Sequence, residues 1–370
     1  MLGVTARVPM HRGPAGVAVT PDGRYAYVPH YDSADVLVVD LITRVVTQTI
    51  EVGKSPSAPA VTPDGRKAYV ALYQRPAIAV IDIASNKVLT EIQLAGIPYA
   101  VAADPTGDRV YATCYHANGS TIVAIDTVGD TVDGSIPIAS NQANQIAVSP
   151  DGSRVYVTDA AGKASEVIDT AARVVTASLI LGASAVAVHP DGSRAYFGRA
   201  SGATTAVLVV DTATLFVTAV VPVPASPVHI AVSQDGAYAY VVCSNGEALS
   251  VIDTATNSVV ASIAIKGAPI GVAVGPGRTP AYVTNAYFGI DDLEFVSEVV
   301  TLPHPGRDYL VGKLFGGVAV DGGGWIVIGN HIFKVPPRPG DAAAFVDAIA
   351  PFLEQSIENP ELGARLRDSF

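Results

Sequence analysis

SPDGSRVYVTDAAGKASEVIDTAARVVTASLILG, residues 149–182, decides the fold. Ser-Pro-Asp-Gly at its start is turn chemistry, with Gly152 free to take the positive φ that reverses a hairpin. The strand that follows, VYVTD, carries a tyrosine; after a short loop comes a second β-branched run, EVID, that ends in Asp169. A Thr/Val-rich strand closes the unit.

The unit recurs along the chain. Its tyrosine falls at Tyr27, Tyr69, Tyr111, Tyr156, Tyr196, Tyr240 and Tyr282, at spacings of 42, 42, 45, 40, 44 and 42 residues. Each copy begins with a short apolar run such as 17–19, 146–148 or 272–274, turns at Pro-Asp-Gly or a variant of it, and ends its third strand in Asp40, Asp82, Asp126, Asp169, Asp211 or Asp253. A four-stranded antiparallel sheet repeated at this period cannot bury both its faces until neighbours stack on it. The pattern predicts an all-β chain folded as a seven-bladed β-propeller. Residues 2–8 alternate apolar and small or polar side chains, so they are expected to supply the fourth strand of blade seven and close the ring. Its third strand is predicted at 294–302.

Composition agrees. The 370 residues are 49% hydrophobic and only 15% charged, with 34 glycines and 26 prolines as punctuation. The net charge of −11 and the absence of a dense Lys/Arg patch argue against a nucleic-acid partner. Residues 212–234 lack charged side chains, but Pro222, Pro224 and Pro227 interrupt them and they fall in register with the repeat, so no membrane span is expected. Residues 1–10 read as a strand rather than as a leader, and two cysteines, Cys114 and Cys243, make no disulfide framework; both predict a cytoplasmic protein.

Past residue 302 the repeat fades. The domain division predicted is a propeller over 1–302 and an extension over 303–370, with a β-hairpin at 317–330, a Pro-rich connector at 336–339, and helices at 341–350 and from 359. The hairpin echoes the start of a blade, so eight blades are the alternative. The extension is expected either to pack on the propeller, leaving a monomer, or to form a dimer contact.

YVTD at 156–159, YVTN at 282–285 and VIDTATNSVVASI at 251–263 resemble the YVTN-type repeats of β-propeller proteins, and the likeness covers about residues 2–300. It implies the propeller fold. It also implies a range of roles, because that family holds surface, periplasmic and cytosolic binding proteins, and related propellers include lyases and lactonases.

Standard catalytic signatures are absent: there is no phosphate-binding loop, His-Glu-x-x-His, Gly-x-Ser-x-Gly or Cys-x-x-Cys. In a propeller, sites lie where variable loops meet around the channel. Two rings of positions depart from the repeat there. The residue three after each tyrosine reads His30, Leu72, Cys114, Asp159, Arg199, Cys243, Asn285, and the first residue of each inner strand reads Gly16, Ala58, Ala100, Gln145, Ala185, His229, Gly271. Nearby loops add Tyr31, Tyr73, Arg75, Tyr99, Tyr115, His116, Asn144 and Tyr287. Aromatic walls with a few amides, His and Arg predict a pocket for a small molecule or peptide, with no cofactor or metal. Each residue also has a plain structural use: packing for the tyrosines, an Asp159–Arg199 ion pair, a carbonyl partner for each histidine. The competing expectation is a lyase, isomerase or cyclase in which His229, His116 or His30 moves a proton and Arg199 steadies an anion; a third is an assembly scaffold.

Overall fold

The computed structural model describes residues 2–159, 164–200, 205–276, 281–287, 290–298, 301–304, 307–310, 325–328 and 331–334. Contacts divide the chain into one unit holding Leu2 and 4–297 and another holding Met1, Gly3 and 298–370. The first unit is a propeller of seven four-stranded antiparallel blades. Blades one to six span 18–51, 56–93, 97–138, 143–179, 183–222 and 227–264. In blade seven the sheet order is Pro269–Val274, Ala281–Tyr287, Ile290–Glu298 and then Leu2–Pro9, so the chain's beginning closes the ring as the alternation of residues 2–8 implies.

Blade seven's third strand lies earlier than the 294–302 read from the sequence. Tyr287 pairs directly with Ile290, so the chain turns back at once, whereas the sequence reading allowed a longer loop.

Second strands are buried on both faces because a neighbouring sheet covers each. All seven repeat tyrosines are at most 3% exposed. Their hydroxyls tie blades together: Tyr27 donates to Asn86 Oδ1 and Tyr69 to Asp130 Oδ1, each at 2.6 Å, in the third-to-fourth strand turn of the next blade. Burial raises the pKa of both phenols, which keeps them protonated as donors.

Those turns are built alike. The aspartate ending strand three accepts a turn N–H, as in Asp40 from Thr43 (2.8 Å), Asp126 from Gly129 (2.6 Å), Asp211 from Thr214 (2.8 Å) and Asp253 from Thr256 (2.8 Å). Four residues past each aspartate the chain takes a positive φ, at Arg44, Asn86, Asp130, Arg173, Leu215 and Asn257. These aspartates are structural.

Near the axis the inner strands of successive blades lie against one another, including blade seven against blade one. Small residues permit this: a Cβ at Gly271 would stand 3.1 Å from Gly16 Cα and 2.8 Å from Thr284 Oγ1. In blades two to seven the inner strand carries a β-bulge at its start, between Pro56 and Pro59, Pro98 and Val101, Ala143 and Ile146, Ala183 and Ala185, Pro227 and His229, and Pro269 and Gly271.

The second unit contains two antiparallel pairs, Thr301–His304 with Arg307–Leu310 and Trp325–Ile328 with His331–Lys334. Residues 317–324 and 329–330 of the hairpin expected at 317–330 lie outside the described residues, and Trp325–Ile328 pairs forward with His331–Lys334. Among the described residues there is no eighth four-stranded sheet. The helices expected at 341–350 and from 359 lie outside the described residues. No helix among those described is long and apolar enough to cross a membrane.

Candidate functional site

The bulges decide which side chains reach the channel. Strict alternation would send Asn144 and Gln145 to opposite faces; the extra residue between Ala143 and Ile146 lets both line the same cavity. A bulge leaves a backbone N–H without a ladder partner, and threonines two places after the repeat tyrosine supply one. Thr113 Oγ1 accepts from Ala100 N (3.0 Å) and Thr158 Oγ1 from Gln145 N (3.1 Å). The residue before each bulged position then links blades around the rim. Ser57 Oγ donates to the Tyr99 carbonyl (3.2 Å), Asn144 Nδ2 to the Ser184 carbonyl (2.9 Å), and Ser184 Oγ to the Pro227 carbonyl (3.1 Å).

Inside this rim is a cavity of about 750 Å³. Of the residues singled out in the sequence, it brings together Tyr31, Tyr73, Tyr99, Asn144, Gln145 and His229. The tyrosines form a continuous row across blades one to three: ring centroids are 6.0 Å apart for Tyr31 and Tyr73, 5.8 Å for Tyr73 and Tyr99, and 5.7 Å for Tyr99 and Tyr115. Tyr115 stands behind Tyr99 and does not line the cavity. Burial raises the phenol pKa of both Tyr99 and Tyr115.

Blade four supplies Asn144 and Gln145, and blade six His229. His229 opens on the lumen but is otherwise enclosed by protein, and burial alone holds its imidazole down at about 4, so it is neutral at pH 7. Its Nδ1 has no hydrogen-bond partner among the described residues. Among the described residues the one carboxylate on the cavity wall is Asp32, at the mouth, and no Lys or Arg lines it.

Other singled-out residues lie elsewhere. The ring three places after the tyrosines is buried between blades: His30, Leu72, Cys114, Cys243 and Asn285 are 0% exposed and Asp159 2%. His30 Nδ1 is 3.2 Å from Asp35 Oδ1, and Asp35 also takes a 2.7 Å bond from His11 Nδ1. Asp159 accepts from Ser140 Oγ at 2.7 Å, and Asn285 Nδ2 donates to the Lys266 carbonyl. Half-buried Arg199 ends the strand Arg194–Arg199 and is not on the cavity wall. Arg75 pairs with Glu91 (2.7 Å), and His116 Nε2 sits 2.9 Å from Thr121 Oγ1. Tyr287 ends the strand Ala281–Tyr287, and its side chain lies outside the described residues. Both cysteines are free and buried, with the Cys114 thiol pushed up to about 12 by burial. Among the described residues no group of three or more His, Cys, Asp or Glu is arranged to hold a metal ion.

Sequence reading missed Asp32, Ser57, Ser244 and Ala286 on the cavity wall. A signal existed: Tyr31, Tyr73, Ser244 and Ala286 each stand four places after a repeat tyrosine, one beyond the ring that was read.

No protein-family model matches the chain, and no curated protein matches it. Among solved structures it is similar to a chain of Kuenenia stuttgartiensis hydrazine synthase, with 22% identity and a TM-score of 0.72 over 79% of this chain and 98% of that one. It is also similar to the Myceliophteria thermophila Cps50 (Swd1) β-propeller domain, with 15% identity and a TM-score of 0.65 over 80% of this chain and 100% of that one. At such identities the likeness shows the propeller fold alone.

Proposed function

We propose that this chain is a binding protein of the YVTN-type propeller class that holds a small molecule or short peptide in the cavity at the channel mouth. The observation that carries the reading is the convergence on one rigid cavity of three tyrosine rings with Gln145 and an unpartnered His229 Nδ1. A buried polar atom without a partner costs free energy that a bound molecule recovers. Acid–base catalysis is the weaker alternative, because the shift at His229 comes from burial alone and, among the described residues, no charged group stands beside it on the wall to pass or steady charge. The proposal places the protein in the cytoplasm, supported by its two buried, unpaired thiols.

The test is a thermal-shift screen of metabolites and short peptides on the full chain, with every hit repeated on Ala58→Trp, whose indole would intrude on the cavity, and on Gln145→Ala. Hits should vanish in Ala58→Trp while its unliganded melt stays near that of the wild type, and weaken in Gln145→Ala. Hits that persist in both variants, or no hits at all, sink the proposal.

A further inference from the structure

Resting on that binding reading, the make-up of the cavity wall narrows the ligand's chemistry. Three features bear on it. The tyrosine row offers stacking area on blades one to three, with rings spaced 5.8–6.0 Å centroid to centroid along the lining residues. The other half of the ring offers uncharged hydrogen-bonding groups: Gln145, His229 with its Nδ1 unpartnered, and Asn144, whose Nδ2 is already held by the Ser184 carbonyl. Between them the wall is apolar, from Ala58, Ala100, Val101, Ile146 and Val186 among others.

The charge pattern excludes more than it admits. An anion entering the depth would lose its hydration with no cation among the described residues to meet it, and would pass Asp32 at the mouth. A cation would find, among the described residues, only that one carboxylate, which stands at the rim, 53% exposed, and faces Arg12 at 3.9 Å. What remains is a molecule that stacks and hydrogen-bonds without carrying charge.

We infer that the cavity takes an uncharged planar heteroaromatic ring with a donor and an acceptor on one edge, of the nicotinamide or nucleobase kind. Its face lies on Tyr73, the middle ring of the row, which Tyr31 and Tyr99 flank at 47° and 75° to its plane, and its polar edge meets Gln145 and His229. Neutral Gln145 offers both a donor and an acceptor, so such an edge can satisfy it fully. A ring lacking that edge would leave Gln145 and the His229 Nδ1 unpaired, which is where discrimination arises.

Matched probes test the class. Saturation-transfer NMR titrations of the full chain would compare nicotinamide with nicotinate, which share a ring and differ in amide against carboxylate, and would add uracil, lumichrome and benzyltrimethylammonium. Nicotinamide, uracil or lumichrome should bind, with nicotinate and the ammonium weaker by at least about tenfold. Tyr73→Ala should weaken the neutral probes several-fold, and Gln145→Ala should erase the preference for nicotinamide over nicotinate. Equal or tighter binding of nicotinate or the ammonium at a site abolished by Ala58→Trp would overturn the ligand class and leave the binding cavity standing. Failure of all three neutral rings, while screening hits of another chemistry are lost in Ala58→Trp, does the same. Probes that bind Ala58→Trp unchanged overturn both readings.

Discussion

At the residue scale, His229 is where the repeat and the site part company. Its position is Gly or Ala in five of the seven blades, as suits strands crowded at an axis, and Gln145 is the other exception. Both departures are legible in the sequence, and both reach the cavity. What the sequence does not show is that the equally variable ring containing His30, Asp159 and Asn285 is sealed between sheets. Burial gives His229 a measurable signature. Its folded-state pKa, near 4, lies below the ordinary value of 6.5 expected in the unfolded chain, so below pH 6.5 the unfolded chain takes up the proton more readily. The neutral imidazole's contribution is fully present above pH 6.5 and is lost as pH falls towards 4, by at most about 3 kcal/mol. Urea midpoints of the wild type should therefore drop more between about pH 7 and about pH 4.5 than those of His229→Gln. Parallel losses in the two proteins would show that the imidazole is not buried neutral.

At the scale of the element, two devices recur, and only one is readable in advance. The Pro-Asp-Gly turn is written in the sequence, and the structure adds its bonding: Asp22 Oδ1 accepts from Thr20 Oγ1 (2.5 Å) and Arg24 N (3.0 Å). Gly23 and Gly65 occupy equivalent places at φ +70° and +69°. Alanine at either incurs the left-handed cost of about 1–2 kcal/mol. At Gly23 the added Cβ would also stand 2.5 Å from Pro276 Cδ in blade seven, whereas at Gly65 the nearest atom is Pro21 Cδ at 3.4 Å. Gly23→Ala should lower the urea midpoint clearly more than Gly65→Ala, and equal effects would mean that the turn does not press on the closing blade. The second device, the bulge opening each inner strand of blades two to seven, leaves no mark in the composition. It arises where the strand bends towards the axis, and it alone explains why adjacent Asn144 and Gln145 share one wall.

For the whole molecule, the joint between the chain's beginning and blade seven governs stability. Val8 is buried in a cluster with Val17, Val28, Tyr282 and Leu293; Ala6 packs on the same cluster, and Val4 against the one beside it. Fully burying one such Val side chain is worth about 1.5–3 kcal/mol, and a protein's total stability is about 5–15 kcal/mol. Removing residues 1–9 should therefore lower the melting temperature sharply and broaden the transition, as followed by calorimetry. An unchanged melt would show that the ring does not depend on this strand. The closing strand could be read from its alternation, while the third strand of the same blade was displaced by four residues because nothing local marks how tightly the chain turns after Tyr287.

The sequence by itself determined the blade, its number of copies, its turn chemistry and the strand that closes the ring, because each depends on residues close together in the chain or on a simple alternation. Which polar residues meet was decided only by the tertiary structure. Tyr31, Tyr73, Tyr99, Gln145 and His229 come from five different blades, and ring closure brings them to one cavity. The residues next to several of them are turned away because sheets cover both faces of every second strand. Local pattern sets which face of a strand a side chain leaves from; the stacking of blades and the bulge at each inner strand set whether that face meets another sheet or the channel.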